Sequence, residues 1–319
     1  MTPPRRRIAD IGEHRWLRGL LAGLGSVGRM AGVSIGPGDD AAVLAPERRP
    51  WVVTTDAQRA GVHFRVGWLS WGGLGRRAFR VAVSDLAAMG AAPRAALLAL
   101  EVPRRFEVRS LSAFVRGFAA EGRRHGAALV GGDVSAGPCF GATATLLGVL
   151  RGRAVTRGGA RPGDAVFVTG RLGAAAWAVR ERRAGRRARL PLPPVRLEAG
   201  VALAPVASAM LDVSDGLLQD VTHLCRASGV GAVLELDRLP VIPACRRLGR
   251  SGRLLAATGG EDYELLFTVP RAGLPRLARA RLGCAITRIG TIVPGRRVEL
   301  VDAEGRLVRC RRAGFDHFT

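Results

Sequence analysis

Six aspartates, Asp39, Asp56, Asp85, Asp133, Asp212 and Asp215, stand where a solvated salt-bridge acid is uncommon: at a strand end, in a glycine turn or on an apolar helix face. Asp85 is the sharpest case. In VAVSDLAAMGAAP, Val81 to Pro93, a helix running in from about Leu74 carries Leu74, Ala78, Val81, Ala82 and Met89 on one face. Asp85 lies four residues from both Val81 and Met89 and falls on the same stripe. Gly90 supplies a C-terminal stop, with Pro93 beyond it. A carboxylate in such a place is expensive to bury unless a cation or several donors meet it. Hard oxygen ligands of this kind suit Mg²⁺, which binds through one or two carboxylates together with substrate phosphates.

The elements around the other acids follow from turn chemistry and periodicity. Gly36-Pro37-Gly38 is a turn, and Asp39-Asp40 opens a short strand in which adjacent acids point to opposite faces. A second strand from Trp51 ends in Thr54-Thr55-Asp56, a run of hard oxygen donors, with His63 in the following loop. After a helix over Leu111–His125, a strand over Ala127–Val130 breaks at GGDVSAGP. There Gly131 and Gly132 allow close backbone approach to a ligand, with Asp133 held at the strand end. Arg157, beside Gly158-Gly159, has the reach for a phosphate, but taken alone an arginine in such a place is more often a solvated loop charge. In LDVSDGLLQDVTHL, Asp212 and Ser214 share one strand face. Asp215 opens a helix, where capping competes with any functional role for its carboxylate. GGEDYELLFTV reads as a Gly-Gly turn into a strand carrying Glu261 and Asp262.

Composition excludes several classes. The net charge of +23 invites a nucleic-acid reading, but the chain has no lysine and no asparagine, and its arginines run from end to end. Aromatic residues are 5%, which leaves few stacking platforms, so nucleic-acid binding is not expected as the main role. Without lysine there is no Walker A loop, no protein-kinase strand lysine and no Schiff-base lysine. Phosphate handling must then rest on arginine, backbone N–H groups and metal. Five widely spaced cysteines with no CxxC pair argue against a disulfide framework or a zinc ribbon, and the expected compartment is the reducing cytoplasm. Neither a secretory h-region nor a run of transmembrane length is visible. A turn-rich change of character near Arg151 divides an N-terminal domain, 1–150, from a C-terminal domain, 151–319. From the residues alone the reading stops at a Mg²⁺-dependent enzyme acting on phosphate.

The motifs GPGDDAAVL, TTDAQRAGVHF, VSDLAAMGAAP, LVGGDVSAGP, TRGGARPGD, LDVSDGL, GGEDYELLFTVP and GFDHF, in this order from Ile11 to Phe318, resemble the thiamine-monophosphate kinase family. The resemblance implies an α/β fold of two-layer α+β domains, shared with aminoimidazole ribonucleotide synthetase, and a homodimer formed by the N-terminal sheets. It implies ATP-dependent phosphorylation of thiamine monophosphate to thiamine diphosphate, by in-line transfer of the γ-phosphoryl group with several Mg²⁺ ions. By position, Asp39, Thr54, Thr55, Asp56, Asp85, Asp133, Asp212 and Asp215 match the family's metal ligands, and Asp85, Asp133 and Asp212 are the central catalytic carboxylates. Gly132, Asp133, Arg157 and Ser214 match ATP contacts; His63 and Glu261 match contacts to thiamine monophosphate. One departure is Arg312, where the family often has a tryptophan against the thiamine rings. The alternatives are a related ATP-dependent enzyme with another substrate, or a non-catalytic nucleotide- or RNA-binding paralogue.

Overall fold

A computed structural model describes residues 6–24, 32–37, 41–310 and 314. Asp39 and Arg312 lie outside the described residues. The chain divides into two compact units, Met1–Leu86 with Ala92–Val149, and Ala87–Ala91 with Leu150–Thr319. Among the described residues, no helix is long and apolar enough to cross a membrane.

The first unit opens with α1 (Ile8–Ile11) and α2 (Glu13–Leu24). Gly12, at φ 73°, ends α1 and separates it from α2. Two short strands, β1 (Val33–Ile35) and β2 (Val43–Leu44), pair antiparallel. Then follow β3 (Trp51–Arg59), α3 (Trp71–Ala88), β4 (Ala91–Val102), α4 (Val108–Arg124), β5 (Ala128–Ala136) and β6 (Gly141–Leu150). The sheet order is β3-β6-β4-β5, with β3 and β6 antiparallel and β4 and β5 parallel. Helices α3 and α4 meet backbone to backbone. A Cβ at Gly75 would lie 1.9 Å from the Phe114 carbonyl oxygen, and one at Gly117 would lie 2.2 Å from that of Gly72. Phe79, Phe114 and Phe118 are buried there, with Phe79 edge-on to Phe118 at 5.5 Å.

Strand β5 corrects the sequence reading at GGDVSA. The strand does not break at Gly131 but runs on to Ala136, and Asp133 is paired with Ala99 within the β4–β5 ladder. The reason is steric: a Cβ at Gly132 would sit 2.0 Å from the Leu98 carbonyl oxygen, so the glycine serves strand approach and not a turn.

The second unit holds β7 (Ala165–Thr169), α5 (Ala174–Arg183), α6 (Leu197–Leu203), β8 (Ala209–Asp212), α7 (Leu217–Ser228) and β9 (Gly231–Glu235). It continues with α8 (Pro243–Arg247), α9 (Gly249–Thr258), β10 (Leu265–Val269), α10 (Leu274–Arg279), β11 (Ile286–Val293) and β12 (Val298–Val301). The sheet order is β12-β9-β11-β7-β10-β8, antiparallel except for the β12–β9 pair. Val166, Val168, Leu211 and Leu266 pack with Leu217, Val221 and Leu224 of α7; Phe167, Met210 and Phe267 pack with Ala199 and Leu203 of α6. Burial on both faces explains why AVFVT and LLFTV show no polar alternation. Strand β10 begins at Leu265, so Glu261 and Asp262 precede the strand and do not lie in it as the sequence suggests. Left-handed backbone at Glu261 and Tyr263 interrupts the extended conformation there.

Candidate active site

In the first unit, β3 sorts its polar residues by alternation. Thr54, Asp56 and Gln58 share the inner face, while Thr55 points the other way and meets Thr145 at 3.1 Å across the β3–β6 pair. The Thr54 hydroxyl donates to Asp85 Oδ2 at 2.5 Å, tying β3 to α3. Asp85 is only partly buried, on a helix most of whose residues are buried, and the Thr54 hydroxyl is one of the groups that meet it. Asp56 Oδ1 accepts from Gln58 Nε2 at 3.0 Å, and Gln58 Oε1 accepts from Arg77 Nη1. Arg77 and Gln58 are both buried, so this Arg–Gln strut fixes the orientation of Asp56 from inside the domain.

Asp133 is exposed on β5 and lines a shallow cleft with Arg59, Glu101, Ser135 and Thr143. Arg59 and Glu101 form an ion pair of 2.9 Å beside it. Thr143 lies two residues from Thr145 on β6, which puts Asp133 and Thr55 on the outer face of the sheet. The sheet therefore separates Thr55 and Asp133 from Thr54, Asp56 and Asp85. His63 Nδ1 accepts the Arg59 N–H at 3.0 Å, so the proton of its neutral ring sits on Nε2.

In the second unit, two motifs distant in sequence make one structure. Asp212 ends β8 opposite Leu265 and is buried. Beyond it the Val213 N–H donates to Glu264 O at 2.8 Å, the Tyr263 N–H to Val213 O at 2.8 Å and the Glu261 N–H to Ser214 O at 2.7 Å. A Cβ at Gly260 would lie 2.4 Å from the Ser214 carbonyl oxygen, so glycine permits this approach. Glu261 is thereby set beside Ser214 and Asp215. The left-handed conformations of Glu261 and Tyr263, φ 71° and 50°, are costly for side-chain-bearing residues and persist only where surroundings over-determine them.

Here the surroundings are two buried acids. Asp262 accepts the N–H of Gly173 at 2.9 Å and of Ala174 at 3.2 Å, capping α5 from a distant loop. Burial pushes its carboxyl up to about 8, against the pull of those two donors. Glu264 accepts two bonds from Arg196, at 2.6 and 2.7 Å, and one from the Thr169 hydroxyl at 2.6 Å. That pairing raises the Arg196 guanidinium above its ordinary value. The proline-rich segment that leads into α6 thus supplies the partner of a buried acid.

Helix α7 corrects the capping expectation for Asp215. Its N-cap is Gly216, which has no side chain to offer, and the Asp215 and Gly216 N–H groups instead donate to Asp220 Oδ2 at 3.2 and 3.1 Å. Asp215 Oδ2 accepts from Gln219 Nε2 at 3.4 Å. Burial, followed by the nearby Asp212 and Asp215 charges, pushes the Asp220 carboxyl up to about 8. Sequence reasoning missed Asp220, although the signal was there. With Leu217, Val221 and Leu224 it falls on one apolar stripe, as Asp85 does on α3. Arg157 is exposed, and its carbonyl oxygen accepts from the Ser228 hydroxyl at 3.1 Å. The adjacent Gly158 and Gly159 pack against the carbonyl oxygens of Ala227 and Ser208.

Each unit by itself presents hard oxygen donors: Thr54, Asp56 and Asp85 in the first, Asp212 and Asp215 in the second. This donor set fits Mg²⁺ and lacks the thiolates that would favour softer metals. All five cysteines are free, and burial pushes those of Cys225 and Cys245 up to about 11.

Residues 38–153 match the family described as AIR synthase related protein, N-terminal domain, and residues 161–303 match the corresponding C-terminal domain. Thiamine-monophosphate kinase of Salmonella typhimurium is 38% identical over 305 residues, covering 90% of this chain and 92% of the relative. The crystal structure of thiamine-monophosphate kinase from Stenotrophomonas maltophilia K279a is similar at a TM-score of 0.79 and 37% identity, over 92% of this chain and 95% of that one. The structure of AaThiL complexed with AMPPCP and TMP is similar at a TM-score of 0.75 and 28% identity, over 98% and 99% of the two chains.

Proposed function

The chain belongs to the thiamine-monophosphate kinase family, with its two-domain α/β fold of mixed sheets, and from that premise we propose that it phosphorylates thiamine monophosphate to thiamine diphosphate at the expense of ATP. An oxygen of the thiamine phosphate attacks the ATP γ-phosphorus in line. A new P–O–P bond forms, the bond to the β,γ-bridging oxygen breaks, and ADP leaves with the electron pair. A phosphate monoester is largely dianionic at neutral pH, its second pKa being about 6. No side chain has to remove a proton from the attacking oxygen or serve as a covalent nucleophile.

Catalysis then consists of positioning and charge compensation. Asp39, Thr54, Thr55, Asp56, Asp85, Asp133, Asp212 and Asp215 would hold several Mg²⁺ ions, Thr54, Asp56 and Asp85 from the inner face of the first unit's sheet and Thr55 and Asp133 from its outer face, with Asp85, Asp133 and Asp212 as the catalytic carboxylates. Bound Mg²⁺ supplies compensation for the charge of the transferring group. Gly132, Asp133, Arg157 and Ser214 contact ATP, with Arg157 as the cationic side chain a lysine-free protein can spare for phosphate. His63 and Glu261 contact thiamine monophosphate. The homodimer of N-terminal sheets belongs to the same proposal, supported by Val53 and Leu97, large apolar residues left exposed on β3 and β4. Free thiols and a need for ATP fit the cytoplasm.

The observation that carries this reading is the likeness along nearly the whole chain to thiamine-monophosphate kinases, including a neighbour complexed with AMPPCP and TMP. Its test is incubation of the purified protein with ATP, Mg²⁺ and thiamine monophosphate, with chromatography for thiamine diphosphate and EDTA as control. Chelator-sensitive product is expected. ATP binding without product from thiamine monophosphate would refute the substrate assignment.

A further inference from the structure

We propose that Asp220 is the positioning residue of the Asp212–Gly216 turn: its buried carboxyl oxygen fixes how Asp212 and Asp215 present their carboxylates, and it does so without ligating metal. The inference rests on the reading of Asp212 and Asp215 as Mg²⁺ ligands.

The turn is held on two flanks. On one, backbone bonds from Val213 to Glu264 and from Glu261 to Ser214 fasten it to the loop before β10. On the other lie the N–H groups of Asp215 and Gly216, at the start of α7, where a helix leaves its donors without intrahelical partners. An N-cap side chain reaches forward to the N–H groups two and three residues on, so a cap at 216 would leave these two donors to another acceptor, and residue 216 itself has to be glycine. Its φ is 127°, and a Cβ there would come within 2.9 Å of the Thr258 carbonyl oxygen. Asp220 takes over the task from inside the helix. A single oxygen, Oδ2, receives both N–H groups, and the side chain is 2% exposed. This arrangement keeps the Asp215 side chain out of the cap.

The rival role for Asp220 is direct ligation, since ligating atoms of Asp215, Asp220 and His223 all lie within 4.8 Å of one another. The two roles separate on charge. An acceptor that orders a backbone turn works as well when it is an amide oxygen, whereas an anionic metal ligand loses most of its affinity on becoming one.

The test uses Mn²⁺ as probe, with free Mn²⁺ counted by electron paramagnetic resonance in titrations of the full chain and of Asp220→Asn, Asp220→Ala and Asp215→Ala. We expect Asp220→Asn to stay within about threefold of the parent dissociation constant. We expect Asp220→Ala to weaken binding by about 10- to 100-fold, the range for residues that orient ligands from behind. An Asp220→Asn variant as weak as Asp220→Ala would overturn the inference in favour of ligation. Parent-like binding by Asp220→Ala would overturn it as well. If Asp220→Ala does not fold by circular dichroism, Asp220→Asn alone decides, by the same criterion. Asp215→Ala separates the premise from the inference: unchanged Mn²⁺ binding there would remove Asp215 from the metal site and take the inference with it.

Discussion

Gly75→Ala tests whether the close crossing of α3 and α4 sets the place of Asp85. An added Cβ would lie 1.9 Å from the Phe114 carbonyl oxygen and 2.9 Å from the Phe118 nitrogen, where real Cβ contacts below 3.0 Å essentially never occur. The obstacle is backbone on a neighbouring helix, so no rotamer change relieves it, and the helices must part by about 1 Å. A gap of that size forfeits about a quarter to a half of each dispersion contact across the interface. Overpacking costs about 1–3 kcal/mol, and an immovable obstacle puts this site at the upper end, about 3 kcal/mol. That is roughly a hundredfold in the folding equilibrium. Because α3 also carries Asp85, a shift of the helix breaks its 2.5 Å bond to Thr54, and turnover should fall along with stability. Urea unfolding followed by circular dichroism gives the first quantity, and thiamine diphosphate formation on the folded fraction gives the second. A Gly75→Ala protein with the parent midpoint and parent turnover would refute both the crossing and its link to Asp85.

Other perturbations probe separate links. Asp85→Ala should abolish turnover while moving the unfolding midpoint little, because Asp85 is only partly buried; near-normal turnover would remove it from the metal site. Arg196→Met should destabilise by about 3 kcal/mol, since it leaves Glu264 buried without its two-bond partner, and unfolding curves that overlay the parent would contradict this. Asp262 has a folded pKa of about 8 against an ordinary 3.8, so the folded state holds its proton more tightly than the unfolded chain does. Its contribution is therefore fully present below about pH 4 and lost as pH rises toward 8. The stability of the parent relative to Asp262→Asn should fall over that window in urea titrations at stepped pH. A constant difference between the two proteins would show that Asp262 does not titrate there.

What was legible in the sequence followed periodicity over long elements. The apolar stripe of α3, its stop at Gly90 and the odd carboxylate at Asp85 all emerged from spacing, because a buried helix imposes a 3.6-residue rule along its whole length. The glycine pairs were harder to interpret. GGD and GGE look alike as strings, yet Gly132 serves a strand ladder and Gly260 a crossing of two loops. Which backbone comes close to a glycine is a tertiary fact that the local sequence does not contain. For the same reason the run Thr54-Thr55-Asp56 reads as one cluster of donors, although alternation places Thr55 on the opposite face. Asp220, Asp262 and Glu264 stayed in the shadow of the motif residues beside them. Their partners, the Asp215–Gly216 backbone, the start of α5 and Arg196, are set by how loops meet in space, and no short-range pattern announces them.

The central claim is direct transfer of the ATP γ-phosphoryl group to the phosphate of thiamine monophosphate. A single-turnover reaction with γ-labelled ATP, excess enzyme and Mg²⁺, quenched and separated by chromatography, tests it most directly. Direct transfer predicts all of the transferred label in the terminal phosphate of thiamine diphosphate, one ADP formed for each, and none bound covalently to protein. Label released as inorganic phosphate or trapped on the chain, with no labelled thiamine diphosphate, would contradict it.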